Sequence, residues 1–328
     1  MTQAIKSFHA EHKLALTGTP MENHLGELWS IFDFLMPGFL GSSAFFKQRY
    51  QNPIEKRGDK NTQTQLQRKI APFMLRRTKE EVLDELPPKV EIVQKVTLGS
   101  KQALLYENIR IAMEKRISET IKAKGISGAH MTILDALLKL RQTCCDPRLL
   151  SLEEAQKVDE SAKMETLFEL LEELLAEGRK ILLFSQFTTM LELIEEEVKK
   201  RQINYTKLTG KTRKREEAIE KFTQDACNLF LISLKAGGVG LNLTQADTVI
   251  HYDPWWNPAV ENQATDRAHR IGQTKTVFVY KLVVENSIEE KILDLQENKK
   301  ALYSGLYDQK EKSATPFNAE TLLQLLQE

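Results

Sequence analysis

The strongest constraint on the fold is a regular alternation of short apolar runs and amphipathic segments that begins near Lys163. The runs at 180–185, 229–233 and 277–283 are almost continuously apolar, which is typical of strands that are buried on both faces of a sheet. The segments between them carry apolar residues at helical spacing. This order predicts an α/β fold in which helices cover both faces of a parallel sheet.

The first half of the chain has a different pattern. Residues 25–80 are mainly helical in pattern, with an interruption by a polar stretch at 51–64. Residues 100–142 are again helical in pattern, with a break at 122–128, and residues 89–98 alternate like a strand. These patterns divide the chain into four segments, 1–98, 99–158, 159–309 and 310–328.

Composition limits the functional classes. The 328 residues can hold two domains, and 46 basic side chains balance 46 acidic ones, so a nucleic-acid surface would have to be a local patch. No apolar run approaches the ~20 residues that span a bilayer, and no signal peptide is evident. The cysteines, Cys144, Cys145 and Cys227, have neither metal-ligand spacing nor a disulfide framework. We expect a soluble, intracellular protein without a metal site of its own.

A glycine-rich segment follows one of the buried strands. Ser233-Leu-Lys-Ala-Gly-Gly-Val-Gly-Leu-Asn242 places it where ligands bind in parallel sheets, at the carboxyl end of a strand. Glycine there lets the backbone approach a phosphate closely, and Asn242 could reach a ribose hydroxyl. Glycines that simply end a strand are the alternative interpretation.

Two arginines follow this segment in the sequence. Arg267 and Arg270 are three residues apart in a helix predicted around 259–269, and Gln263 precedes Arg267 by one helical turn. Taken alone, the arginines would be interpreted as surface ion-pair partners. Because the planar guanidinium group can bind phosphate oxygens through two donors, their position beside the glycine segment favours contact with a nucleotide.

Gly210-Lys211-Thr212 resembles the end of a phosphate-binding loop. The full pattern requires a glycine five residues before Gly210, and that position is Tyr205. We therefore interpret this segment as a turn with a basic helix start. Its basic residues form either a solvated face or a contact with a nucleic-acid backbone; they are Lys207, Lys211, Arg213, Lys214 and Arg215.

Asp253-Pro-Trp-Trp-Asn-Pro258 is a rigid turn after a strand. Burial is the ordinary state of a tryptophan, and we expect it for one of the two. The other, which we take to be Trp256, is expected to be exposed and to stack on a sugar or base of a nucleic acid.

Several ordered stretches resemble the motifs of Swi/Snf-type ATPases, which belong to helicase superfamily two. The end of the helical segment, Arg141-Gln-Thr-Cys-Cys-Asp-Pro147, resembles the signature at the end of that family's second helical protrusion. The stretches in question are Leu16–Asn23, Phe73–Lys79, Leu182–Gln186, Ser233–Asn242, Asp253–Pro258 and Gln263–Gln273.

The resemblance implies two RecA-like lobes with ATP between them and double-stranded DNA bound across both. Residues 1–98 would be the tail of lobe one, with its third motif and a mainly helical protrusion. Residues 99–158 would be the second protrusion, residues 159–309 the RecA-like lobe two, and residues 310–328 a tail helix.

The same resemblance implies a role for individual residues. Gln263, Arg267 and Arg270 would be catalytic, with both arginines acting on the γ-phosphate. Two further groups would contact the ligands. Those implied to bind the nucleotide are Thr17, Gly18, Thr19, Gly238, Gly240 and Asn242. Those implied to bind nucleic acid are Ser185, Thr209, Gly210, Lys211, Ser233, Lys235, Ala236, Gly237 and Trp256.

One departure from the family is large. Its phosphate-binding loop and its Mg²⁺-binding Asp-Glu pair precede the third motif, whereas only 16 residues precede Thr17 here. Asp84-Glu85 and Asp159-Glu160 lie elsewhere and do not follow strands. We therefore expect the C-terminal half of an ATP-dependent DNA translocase that acts on protein–DNA complexes. ATP and Mg²⁺ would be bound mainly by the missing N-terminal lobe, and this chain alone would be inactive.

Two other interpretations remain open. The chain could be a non-catalytic DNA-binding or docking module. It could also be half of a helicase that separates strands or acts on RNA.

Overall fold

The computed structural model describes residues 5–6, 10–17, 24–75, 77, 86–237 and 240–307. Gly18, Thr19, Gly238 and the predicted tail helix within 310–328 lie outside the described residues. The chain divides into two compact units. One contains Met1–Arg77 and Gln296–Thr321, and the other contains Thr78–Leu295 and Leu322–Glu328.

The first unit is helical. Its helices bury one apolar face each, and Leu28, Phe32 and Leu66 lie in their common core. The elements are α1 (Leu25–Leu35), α2 (Ser43–Phe46), a π-helical turn (Lys47–Gln51), α3 (Asn52–Arg57), α4 (Lys60–Ile70) and a 3-10 turn (Ala71–Phe73).

The polar stretch at 51–64 does not interrupt the helices as predicted. It forms α3 and the start of α4, and only Gly58 and Asp59 separate them. Gly58 has a φ of 63°, which ends α3, and the Asp59 carboxylate accepts from the backbone N–H groups of Asn61 and Thr62. Residues 12–17 form no regular element.

The second unit is built on a sheet of six parallel strands in the order β1-β6-β5-β2-β4-β3. The α/β prediction is therefore confirmed. The strands are β1 (Lys89–Val96), β2 (Ile181–Ser185), β3 (Tyr205–Leu208), β4 (Leu229–Ser233), β5 (Thr248–His251) and β6 (Val277–Val284). Strand β1 comes from the segment 1–98, and it pairs along its whole length with β6.

Helices cover both faces of this sheet. Leu183 of β2 packs in a cluster with Leu171 and Ile194 on one side, whereas Phe184 packs with Phe222 and Ala264 on the other. Burial on both faces is the physical reason for the continuous apolar strands. The first pair of covering helices is α7 (Ala162–Ala176) and α8 (Thr188–Lys200), and the second is α9 (Arg215–Thr223) and α11 (Pro258–Thr265).

A long helical hairpin joins the sheet. Helix α5 (Ser100–Cys145) is broken at Gly125, whose φ of 70° and ψ of 174° are not helical, and this confirms the predicted break. The two arms bury Ile109 and Leu140 against Val284 of β6. The remaining elements are a 3-10 turn (Pro147–Leu149), α6 (Glu153–Gln156), α10 (Leu234–Gly237) and α12 (Ile288–Tyr307). Within the described residues, no helix is both long and apolar enough to cross a membrane.

Candidate functional site

Several of the predicted loops leave neighbouring strands at one edge of the sheet. Strand β2 lies between β4 and β5, and Ser185 at its end is paired with Ser233 at the end of β4. The tryptophan loop follows β5 at the same edge. Since the carboxyl ends of parallel strands are where this fold class binds ligands, the topology brings the predicted segments into one neighbourhood.

The glycine segment begins with the short helix α10. Gly237 is buried, and a Cβ atom added there would lie 2.8 Å from Cε1 of Phe184. Around Gly240, in contrast, no atom of the described residues beyond its chain neighbours lies within 4 Å of an added Cβ, and Lys235 and Asn242 are exposed. The buried part of the segment is therefore fixed by packing, and its exposed part is open to a ligand.

Arginines hold two consecutive carbonyl groups of this segment. Nε of Arg267 donates to the carbonyl oxygen of Gly237 at 3.0 Å, and NH2 of Arg215 lies 3.3 Å from that of Ala236. The backbone N–H of Leu243 in turn donates to the carbonyl oxygen of Arg267 at 3.0 Å. The glycine segment and the first predicted catalytic arginine are thus connected in both directions.

The arginines do not lie on a helix as predicted. Helix α11 begins at Pro258, where the Asn257 side chain accepts from the N–H of Ala259, and it ends at Thr265. The chain then turns, because Nε2 of Gln273 donates to the carbonyl oxygens of Ala246 and Ala268 at 2.8 and 3.0 Å. Arg267 and Arg270 therefore project from turns, which the helical spacing of the sequence did not reveal.

The electrostatic surroundings of the arginines favour an anion. Burial and the positive charge of Arg270 lower the pKa of Arg267, against the opposing effect of Asp266. Arg267 is half-buried and Arg270 is exposed. A phosphate group would relieve the repulsion between the two cations, so these surroundings suit an anion.

The neighbouring side chains have distinct positions. Gln263 is half-buried on α11. His269 is buried and its Nε2 lies 2.8 Å from the carbonyl oxygen of Pro87. Thr17 belongs to the other compact unit.

The turn after β3 is closed by its own hydrogen bonds. The N–H of Thr209 donates to Oγ1 of Thr212 at 2.9 Å, and the N–H of Lys211 lies 3.3 Å from Oγ1 of Thr209. No atom lies within 4 Å of a Cβ added to Gly210, and the Lys211 side chain is 85% exposed. The outer side of the turn is therefore open, as the predicted contact with a nucleic-acid backbone requires.

The basic residues around this turn are divided among several partners. Lys207 pairs with Glu195, Lys214 pairs with Glu217 at 2.7 Å, and Arg215 contacts the glycine segment. Lys211 lies 3.9 Å from Glu192, which is a weak exposed pair. Of these four basic side chains, Lys211 has an 85% exposed side chain and a long ion-pair distance of 3.9 Å.

The two serines predicted to contact nucleic acid are buried. Ser185 is 1% exposed and Ser233 is 4% exposed. The Ser185 hydroxyl donates to Oδ1 of Asp253 at 2.6 Å. Ser185 therefore connects the end of β2 to the tryptophan loop.

The tryptophans differ from the prediction of one buried and one exposed ring. Both are half-buried, because each packs against a different core cluster: Trp255 lies against the cluster of Phe184, and Trp256 lies against that of the helical hairpin. The N–H of Trp255 donates to Oε1 of Glu261 at 2.6 Å. This buried glutamate was not singled out from the sequence, which contains no spacing that would indicate it.

Comparisons with known proteins find two family models along the chain. The family model described as the SNF2-related domain matches residues 1–149, and that of the helicase conserved C-terminal domain matches residues 162–272. An uncharacterized ATP-dependent helicase of Mycoplasma pneumoniae is 42% identical over 309 residues, which cover 93% of this chain and 28% of that protein. The chain spans about a third of the length of the curated relatives it matches, between 28% and 33% for the first three.

Two solved structures from Sulfolobus solfataricus are similar. The SWI2/SNF2 ATPase core in complex with dsDNA has 39% identity and a TM-score of 0.55, and the match covers 93% of this chain and 64% of that one. The SWI2/SNF2 ATPase core domain has 35% identity and a TM-score of 0.57, with coverage of 99% and 67%.

Proposed function

Because this chain belongs to the SNF2-related family of ATP-dependent helicases and translocases, we propose that it supplies the arginine-bearing side of an ATP site in a protein that moves along double-stranded DNA. The observation that carries this proposal is the hydrogen bond from Arg267 to Gly237. It connects a cation that can bind a phosphate to a segment that is open to a ligand at Gly240. A shift in either one would move the other.

In this proposal Arg267 and Arg270 stabilise the charge that develops on the γ-phosphate. Arginine suits this role because its fork of donors matches phosphate oxygens, and such an arginine typically contributes on the order of a thousandfold in rate. Gln263 lies on the helix just before them and would position the reacting groups. Gly238, Gly240 and Asn242 would line the nucleotide.

The rest of the ATP site would come from a lobe with a phosphate-binding loop and an acidic pair for Mg²⁺. Of the segment 1–98, the residues before β1 would join that lobe, with Thr17, Gly18 and Thr19 in the third motif, whereas β1 pairs with β6 of lobe two. Residues 99–158 would form the second protrusion, 159–309 lobe two and 310–328 a tail helix. A chain without those two elements would not hydrolyse ATP.

The DNA would bind at the carboxyl edge of the sheet. Gly210, Lys211 and Lys235 are exposed there, and the open turn after β3 suits a sugar–phosphate backbone. One similar solved structure is a core in complex with dsDNA, which supports duplex DNA as the partner. During ATP hydrolysis the two lobes would bind and release the DNA in turn. The resulting movement along the duplex would remodel a protein–DNA complex.

The test uses the complete ATPase, by which we mean this chain together with a lobe that carries the phosphate-binding loop. Arg270→Ala should reduce DNA-stimulated ATP hydrolysis by about a thousandfold and leave the Kd for duplex DNA within about twofold. Arg201→Ala is the matched control, because Arg201 is a surface arginine that pairs with Glu172 and Glu197. Wild-type hydrolysis by Arg270→Ala would overturn the proposed role.

Assays of ATPase stimulation and strand displacement with the same complete ATPase distinguish the other interpretations. Stimulation by duplex DNA without strand displacement is the expected result. Stronger stimulation by RNA or single strands, or displacement of a strand, would indicate a different helicase class. Turnover of ATP by the 328-residue chain alone would show that it does not depend on another lobe.

A further inference from the structure

A buried arginine lies where the helical hairpin meets the tryptophan loop. Arg141, at the end of α5, is 2% exposed. Its Cζ atom lies 5.1 to 5.4 Å from the centres of three aromatic rings, those of Phe187, Trp255 and Trp256. At such distances the guanidinium group is attracted by the electron-rich faces of the rings.

The polar contacts of Arg141 reach the same loop. NH2 donates to the carbonyl oxygen of Pro254 at 2.8 Å and lies 3.4 Å from Oδ2 of Asp253. The other carboxylate oxygen of Asp253 accepts from Oγ of Ser185 and lies 3.3 Å from the N–H of Gln186. One arginine thereby connects the hairpin with the loops that follow β2 and β5.

A buried arginine stabilises a core no better than apolar side chains of similar size would. Burying a guanidinium group carries a large desolvation cost, and apolar side chains often stabilise such a place equally well. The Nε of Arg141 is also buried without a hydrogen-bond acceptor among the described residues. A role in fixing geometry accounts for an arginine here better than a role in stability does.

The contacts of Arg141 determine the position of the loop that carries Trp255 and Trp256. Trp255 and Trp256 pack against different core clusters, so no single cluster determines the position of the loop. Arg141 contacts both rings and the backbone between Asp253 and Trp255. Its flat group therefore sets the angle of the loop relative to the hairpin.

We propose that Arg141 is a positioning residue that holds the loop from Asp253 to Pro258 against the helical hairpin, so that the loop meets DNA in one preset conformation. This inference rests on the proposed function only in its DNA part. Arg141 acts through the loop and does not itself touch the nucleic acid.

The first measurement reports on the loop alone. The chain has three tryptophans, so in a Trp29→Phe background the fluorescence comes only from Trp255 and Trp256. Arg141→Lys keeps a positive charge opposite Asp253 but loses the flat group. We expect a red-shifted emission and an acrylamide quenching constant that rises about twofold, as a looser loop exposes its rings to water.

The second measurement uses the complete ATPase. Arg141→Lys should raise the DNA concentration for half-maximal stimulation about three- to tenfold, while the kcat at saturating DNA changes less than twofold. A merely structural role would lower the fraction of active protein, and hence kcat, without this change in the DNA requirement. Arg110→Lys is the matched control, because it makes the same substitution on α5 at a surface pair with Glu107 and Glu114.

A second variant guards against misfolding. If Arg141→Lys does not fold, Arg141→Met combined with Asp253→Asn removes both buried charges together, which is often tolerated. It should give the same fluorescence and DNA shifts. The inference is overturned if whichever variant folds matches Arg110→Lys in both measurements.

The two proposals fail separately. Inactive Arg270→Ala with an Arg141 variant that behaves like the control would remove only the inference about Arg141. Fully active Arg270→Ala with a clear fluorescence change in the Arg141 variant would remove only the proposed role of Arg270.

Discussion

Lys163 and Glu289 form an ion pair inside the protein, with Nζ 2.6 Å from Oε2 and neither side chain exposed to solvent. The lysine also donates at 2.9 Å to the carbonyl oxygen of Tyr252, the residue that follows β5. Burial raises the pKa of Glu289, and Lys163 opposes that effect. The pair thus joins the starts of α7 and α12 to the strand that leads into the tryptophan loop.

Lys163→Met should destabilise the protein strongly. It leaves the Glu289 carboxyl group buried without its cation, and loss of one partner from a buried pair costs about 3–5 kcal/mol. Unfolding by urea, followed by circular dichroism, measures the change. Lys101→Met is the control because the Lys101–Asp159 pair is exposed, and its free energy of unfolding should equal that of the wild type within error. Equal stability of the two variants would contradict the prediction.

The stability of the protein should fall below neutral pH because of His251. Burial, together with the positive charges of Lys281 and Lys89, lowers the pKa of His251 to about 3, against the opposing effect of Glu91. Below pH 6.5 the unfolded chain therefore binds a proton at this histidine that the folded protein does not. The free energy of unfolding should decrease by about 1.4 kcal/mol per pH unit between about pH 6 and pH 4.

The control for this pH effect is His251→Gln. Carboxyl groups titrate in both proteins and cancel in the comparison, so the stability difference between wild type and variant isolates His251. That difference should shift against the wild type by about 2 kcal/mol from pH 7 to pH 5. A stability difference between wild type and variant that stays constant from pH 7 to pH 5 would contradict this prediction. His251 would then have its ordinary pKa in the folded protein.

Gly237→Ala should disturb both packing and catalysis. The new Cβ would lie 2.8 Å from Cε1 of Phe184, so the segment must shift, and overpacking of this kind costs about 1–3 kcal/mol. Since Arg267 binds the carbonyl oxygen of Gly237, the shift should also lower the ATPase rate of the complete protein. Gly240→Ala is the matched control, because its Cβ would meet no atom within 4 Å and stability should change by less than about 1 kcal/mol. Equal urea midpoints for the two variants would contradict the steric argument.

The sequence predicted the sheet better than the site. The strand Leu229–Ser233 was located to the residue, because local polarity changes mark where burial begins and ends. The end of α11 was missed because distant carbonyl groups, held by Gln273, turn the chain there. The polar stretch at 51–64 was misjudged because a few buried residues at helical spacing outweigh many exposed polar ones.

The surroundings of the tryptophans could not be predicted for a related reason. Arg141 is 112 residues from Asp253 in the chain, and no local pattern connects them. The resemblance of the segment 141–147 to a family signature marked the place but not the contact. Residues whose role depends on such long-range neighbours become evident only in the folded protein.

Lys211 should contribute one phosphate contact to DNA binding. Its side chain is 85% exposed, on a turn that is open on its outer side. Each neutralised phosphate releases counterions, so the slope of log K against log salt should become less steep by about one unit in Lys211→Ala. Fluorescence anisotropy with a labelled duplex, between 50 and 200 mM salt, measures this slope for the complete ATPase. Lys199→Ala is the control, because that lysine pairs with Glu195 on α8, and its slope should equal that of the wild type. An unchanged slope in Lys211→Ala would mean that the turn after β3 does not meet the DNA backbone through this residue.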